Sequence, residues 1–291
     1  MMQMSRHSLF VFTEGFKDRY LYDCLVQRVC KKHGITCSLR TAEEIPGGGG
    51  GKTAVLEFFT YARRNSLLDA DFKGKRTICA FLLDKDLDDV RRTQRKSPHV
   101  IYTPTYELEN LLFLNSNLSA AAAAAASLDP STFGNTFANP ITWCKRAAGN
   151  WQKWVTLCAF SHLRAENAGN FYGRPRSQIN STAYSPTNDA AFQYEVLRFK
   201  DDWSDGDSSF YRAFSSIERR VERAYNQGDA DRFFKGKWYC YFAREDVQRL
   251  ARGRRWIDAH FGERLLCCLV MTIDPARGWP RWFLGRIDAL I

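Results

Sequence analysis

The 291-residue chain is 45% hydrophobic and 25% charged, and Lys plus Arg outnumber Asp plus Glu by 42 to 32, a formal net charge of +10. That length can bury a substantial core, as one large domain or two small ones, and the positive excess favours a polyanionic partner. The nine cysteines show no C-x-x-C pair and no histidine at zinc-finger spacing, which excludes a zinc finger and, with the odd count, a secreted disulfide scaffold.

The first 115 residues alternate short apolar runs with helical patterns, which predicts a parallel α/β sheet with strands at 8–13, 35–40, 76–83 and 99–104. The first strand, Leu9-Phe10-Val11-Phe12-Thr13, runs into Glu14-Gly15. Gly15 permits a tight turn into a helix over 16–33, where Tyr20, Leu21, Leu25, Val26 and Val29 recur at helical spacing. Residues 47–51 are all glycine and precede Lys52-Thr53, which looks like a nucleotide-binding P-loop. The pattern G-x-x-x-x-G-K-[ST] needs glycine at 46, where Pro46 stands, and a buried strand before it, where residues 41–46 are polar. An ATPase is therefore not expected. A glycine loop opening a helix over 53–68 would instead offer backbone N–H groups and Lys52 to a phosphate; a turn with a solvated lysine is the alternative.

Ile78-Cys79-Ala80-Phe81-Leu82-Leu83 reads as a strand buried on both faces, and it ends in Asp84-Lys85-Asp86-Leu87-Asp88-Asp89. Ligands of open parallel sheets bind at the carboxyl ends of strands. Carboxylates crowded there repel, and a hard cation such as Mg²⁺ would offset them; a polar turn capping a helix is the bland alternative. Glu14, Asp84 and Asp86 all fall at such ends. A helix from 107 onward opens with Tyr106-Glu107-Leu108-Glu109-Asn110 after the strand at 99–104.

Glu14-Gly15 with Asp18, then Asp84-Lys85-Asp86, then the Y-E-x-E-N helix start, resembles the TOPRIM fold of topoisomerases, bacterial primases and OLD-type nucleases. Residues 8–115 carry the likeness, and within that fold they are most similar to TOPRIM-like nucleases of bacterial phage-defence islands, the PARIS-type effectors among them. The glycine segment before Lys52 and Gly236-Lys237-Trp238 also fit. The resemblance implies a TOPRIM-like (Rossmann-like) parallel sheet flanked by helices, followed by a mostly α-helical C-terminal region. It implies a Mg²⁺- or Mn²⁺-dependent endonuclease in which Asp84 and Asp86 bind metal, Glu14 is a further ligand or the general base, Lys52 assists, and Glu107 or Glu109 completes a second metal site. No nucleophilic tyrosine motif is evident, so hydrolysis is expected rather than strand passage. The family further implies a toxic antiviral effector that is restrained by an ABC-type ATPase, homodimeric when active, and directed at RNA, tRNA above all. DNA nicking of the OLD type, or a non-catalytic TOPRIM-like scaffold, are the competing expectations.

The domain organisation expected is 1–118 catalytic, 119–140 a linker or loop, and 141–291 a helical region for substrate or partner. Seven alanines at 120–126 suit a helix but bury little. Residues 129–139 read as loop. Helices are expected at 143–163, 190–199, 209–225 and 244–261, a long loop at 165–187, and either helix or strand at 265–273. Basic clusters fall at 91–96 and 249–255. The five histidines share no metal-binding spacing. Trp151 with Trp154, and Trp279 with Trp282, are expected in the core rather than stacking on bases. The aspartates at 201–207 do not follow the EF-hand order and read as an acidic turn. No signal peptide is visible at the N-terminus and no apolar run spans a membrane, so a cytoplasmic protein is expected.

Overall fold

The computed structural model describes residues 7–45, 49–72, 74–164, 178–251, 257–276 and 278–291. In chain order the first elements are β1 (Leu9–Thr13), α1 (Phe16–His33), β2 (Cys37–Thr41), α2 (Gly51–Arg64), β3 (Asp69–Phe72), β4 (Lys75–Leu83), α3 (Asp88–Arg91) and β5 (Val100–Tyr102). Helices follow: α4 (Leu108–Asn115), α5 (Leu118–Ala126), α6 (Pro140–Gly149), α7 (Gln152–Arg164), α8 (Asp189–Asp201) and α9 (Asp207–Asn226). The last are α10 (Tyr239–Leu250), α11 (Phe261–Thr272) and α12 (Gly278–Asp288). They form two compact units. The first takes Met1–Lys85, Thr93–Pro104 and Asp274–Ile291, the second Asp86–Arg92 and Thr105–Ile273.

The first unit is α/β. Its sheet runs β2-β1-β4-β3, with β5 also on β4. β1 lies parallel to β2 and β4, and β5 parallel to β4. β1 fills one edge of β4, so β3 and β5 share the other, β3 along Lys75 to Ile78 and β5 along Phe81 to Leu83. β3 corrects the all-parallel expectation: it is antiparallel, and its polar sequence gave no strand signal. Its pairing is held by Arg76, which donates from Nε and an Nη to the two carboxylate oxygens of Asp69 at 2.9 and 2.7 Å.

All five residues of β1 are buried, because both faces of the sheet are covered. Alternation sends Phe10 and Phe12 of β1, with Cys79, Phe81 and Leu83 of β4, into a core shared with Ala54, Val55, Phe59 and Ala62 of α2. Leu9, Val11, Ile78, Ala80 and Leu82 take the other face; α1, which contacts β1 and β2, buries Leu21, Leu25, Val26 and Val29. Truncating a side chain as enclosed as Phe81 costs about 3–5 kcal/mol. α12 packs on α1, with the Tyr22 and Phe283 rings 5.2 Å apart and Lys32 2.9 Å from Asp288.

The second unit is helical around aromatic side chains. Phe113, Phe137, Trp143 and Tyr239 continue through Phe234, 4.7 Å from Tyr239, into Trp151, Trp238 and Phe242, and Phe160, Phe210 and Phe214 form another group. Trp151 and Trp154 are buried as expected, whereas of the other pair Trp279 is buried and Trp282 exposed. The alanine run is a core helix: Leu118, Ala121, Ala122, Ala123, Ala125 and Ala126 are buried, and α5 lies along α11. Small side chains let two helix backbones approach closely, a use of alanine that composition alone does not reveal. The expected 119–140 linker therefore holds this helix, and Phe133 and Phe137 within its loop are buried. The expected helix at 143–163 is broken into α6 and α7 where the backbone tightens to i→i−3 bonds, the Asn150 N–H to the Ala147 carbonyl at 3.2 Å and the Trp151 N–H to the Ala148 carbonyl at 3.0 Å. The expected helix at 244–261 begins earlier, at Tyr239, and ends at Leu250; residues 252–256, with most of the 249–255 basic cluster, lie outside the described residues, as does 165–177 of the expected long loop. Residues 265–273 resolve as helix apart from Ile273. No helix among the described residues is long and apolar enough to cross a membrane.

Candidate functional site

The register of β1 on β4 pairs Thr13 with Leu82, so the residues that follow each strand emerge side by side at the carboxyl edge. There Glu14 Oε1 accepts the backbone N–H of Asp84 at 2.7 Å. Such charge-assisted bonds contribute about 1.5–3 kcal/mol. Asp18 has a structural role, its Oδ2 accepting the Gly15 N–H at 3.2 Å at the start of α1. Lys85, between the two aspartates in sequence, is buried; its N–H donates to Thr103 Oγ1 at 2.9 Å and its ammonium to the Pro104 carbonyl, tying β4 to the end of β5. Lys52 sits in the first turn of α2. Gly51 has φ +78°, which glycine alone adopts without strain, and a Cβ on Gly50 would stand 3.4 Å from Glu43 Oε1. Residues 46–48 of the glycine segment lie outside the described residues.

The second unit holds the other acidic motif. Asp86 has φ +48°, a left-handed conformation that aspartate tolerates better than most residues, and its N–H donates to the Tyr106 carbonyl at 2.7 Å. Asn110 Oδ1 accepts the Glu107 N–H at 3.1 Å, and Asn110 Nδ2 donates to Asp231 Oδ1 at 2.7 Å and to the Phe234 carbonyl at 2.9 Å. Glu107 and Glu109 are both buried and share Lys237. The Lys237 N–H donates to Glu107 Oε1 at 2.7 Å, and its ammonium stands 3.4 Å from Glu107 Oε2 and 3.2 Å from Glu109 Oε1. Burial, and then the neighbouring Glu109 charge, push the Glu107 carboxyl up to about 7 against the opposing pull of Lys237. Glu109 Oε2 is buried without a hydrogen-bond partner.

The fold thus brings Glu14 to Asp84 in one unit, and Glu107 to Glu109 and Lys237 in the other. Of the supporting residues, Asn110 was visible as the last letter of Y-E-x-E-N and Lys237 in its Gly-Lys pair. Asp231, which binds Asn110, carried no sequence signal. Gly236, the glycine of that Gly-Lys pair, has a structural reason the sequence did not give: a Cβ there would meet the backbone of α4.

Carboxylate oxygens are what Mg²⁺ and Mn²⁺ take, and Mg²⁺ commonly uses one or two of them while keeping several waters. Glu14 and Asp84 each bring a carboxylate to the end of one of two adjacent strands. The unpartnered Glu109 Oε2 suits a donor oxygen, but the Lys237 ammonium already stands against both carboxylates of the Glu107–Glu109 pair. Among the described residues no three His, Cys, Asp or Glu side chains form a ready-made metal group.

Fold and site together define an α/β protein with carboxylates at the carboxyl ends of adjacent parallel strands, joined to a helical unit that holds a buried carboxylate–lysine cluster. Compared with known proteins, the chain matches no family model, and no curated protein is similar enough to count as a relative.

Proposed function

We propose that the chain is a Mg²⁺- or Mn²⁺-dependent endonuclease of TOPRIM type, acting on RNA, tRNA above all, as a toxic effector in antiviral defence. The observation that carries this reading is the Glu14 carboxylate held at the backbone of Asp84, at the edge where open parallel sheets bind ligands. The family resemblance makes Asp84 and Asp86 the residues that would bind the cation, which when bound neutralises phosphate oxygens and acidifies a water. Glu14 would serve either as a further ligand of that cation or as the general base that takes the proton of the attacking water. Lys52 offers a positive charge at a helix start, where phosphates are favoured. The net charge of +10 draws a polyanion to the surface.

The biological part rests on the family resemblance: restraint by an ABC-type ATPase, release by a viral trigger, a homodimer when active, and a place in the cytoplasm. A second reading, a non-catalytic scaffold of the same fold, is favoured by the Glu107–Lys237–Glu109 cluster, in which both carboxylates already share an ammonium.

Purified protein with Mg²⁺ is to be incubated with total tRNA and, separately, with supercoiled plasmid. Cleaved tRNA, lost in Glu14→Ala and Asp84→Ala, is the expected result. Nicked plasmid beside intact tRNA moves the substrate to DNA. Two inert substrates, with wild type and Asp84→Ala equally tolerated by the expressing host, leave the scaffold.

A further inference from the structure

The second unit contains a cavity of about 250 Å³ lined by Asp89, Arg92, Arg220, Arg223, Gln227 and Arg232, among others. Arg220, Arg223 and Gln227 recur at i, i+3 and i+7 along the last turns of α9 and its C-cap, so they share one stripe of that helix. Between them Val221 and Ala224 are buried, which fixes the helix and hence the stripe. Arg232, in the short 3-10 turn Ala230–Arg232, is anchored by its Nε donating to Asp89 Oδ2 at 2.8 Å. Arg92 caps α3 with φ +60°, a left-handed backbone that costs a residue other than glycine about 1–2 kcal/mol.

Among the described residues none of Arg92, Arg220 and Arg223 makes an ion pair, so the lining carries four arginines and two aspartates, Asp89 and Asp229, and Asp89 is committed to Arg232. Cations gathered around one cavity repel one another until an anion enters. Guanidinium groups match the oxygens of a phosphate in pairs, better than ammonium groups do. The volume lies below the roughly 300 Å³ at which pockets begin to enclose drug-sized molecules, and suits one phosphate with its sugar rather than a whole dinucleotide.

We propose that this cavity is a phosphate-binding site. It takes a single phosphate group, either a backbone phosphate of a nucleic acid or the phosphate of a free nucleotide. The site stands on the second unit alone and does not depend on nuclease chemistry.

The test is binding by the full chain in EDTA, so that a failure of cleavage and a failure of this site remain distinct. Labelled single-stranded RNA is followed by anisotropy across a salt series, and inorganic phosphate and AMP by their effect on the melting temperature. Expected for Arg220→Ala/Arg223→Ala is at least a tenfold loss of RNA affinity and a log–log salt slope shallower by about one. Arg219→Ala removes the same charge from the same helix outside the cavity, and should change affinity less than twofold. Unchanged RNA binding, with phosphate or AMP protecting wild type and not the double variant, assigns the site to a free nucleotide. Equal losses in Arg219→Ala, or no effect of the double variant on any probe, overturn the proposal. Should the double variant melt early, Arg220→Gln, which keeps helix propensity, is read in the same way.

Discussion

A Cβ built on Gly236 would stand 2.2 Å from the backbone nitrogen of Asn110, so these two backbones touch with no room for a side chain. The neighbouring Glu109 carbonyl carbon would be 2.7 Å away. Both obstacles are backbone atoms of α4, so neither can swing aside. Gly236→Ala is expected to push the short turn away from α4, displacing Lys237 from Glu107 and Glu109, at a cost of about 2–4 kcal/mol. Thermal melting measures it, and a variant that melts with the wild type would show that the contact yields.

Glu14 has two separable properties, an acceptor oxygen and a charge. Glu14→Ala removes both and leaves the Asp84 N–H unbonded, a loss of about 1–3 kcal/mol. Glu14→Gln keeps an acceptor and is expected to melt closer to wild type, yet to be as inactive on tRNA as the alanine variant. Cleavage by Glu14→Gln would remove Glu14 from the chemistry and leave it a structural bond.

The Glu107 carboxyl holds its proton more tightly in the folded chain, raised from the ordinary 4.5 to about 7. Its contribution to stability is therefore complete below the unfolded value and is lost as pH rises through about 7. The expected loss between pH 5 and pH 8 is on the order of 1–3 kcal/mol. Glu107→Gln cannot ionise, and its melting temperature should fall less across that range. Parallel pH profiles for the two proteins would refute the assignment.

Within α5, Ala122 is fully buried and Ala124 exposed. Ala122→Leu forces a larger side chain into the core and is expected to cost about 1–3 kcal/mol, whereas Ala124→Leu should be almost neutral. Urea melts of the pair separate a packed helix from a tether, for which both substitutions would be harmless.

What could be read from the sequence followed from how local the signals are. β1 and β4 announce themselves because burial on both faces demands an unbroken apolar run, and Glu14 and Asp84 follow directly from where those runs stop. β3 could not be read, since an edge strand held by Asp69 and Arg76 has the composition of a loop. The role of the alanine run was equally hidden: burial by close backbone approach leaves no large apolar side chain to find. Asp231 and the arginine cavity depend on residues more than a hundred positions apart, such as Asp89 and Arg232, which no local pattern couples. The break between α6 and α7 was hidden too, because the apolar periodicity continues across the tight i→i−3 turn at Asn150 and Trp151.

The sheet unit is discontinuous in the chain, and its last helix, α12, covers α1 through Tyr22 and Phe283. A ribosome delivers β1 to β5 early but releases α12 only after every residue of the helical unit has been made. Until then the aromatic surface of α1 stands bare, open to water, chaperones or a neighbouring chain. Synthesis thus sets an order: the unit carrying Glu14 and Asp84 is begun before the helical unit and finished after it, and a nascent chain halted within the helical unit has the strands of that sheet without its closing helix.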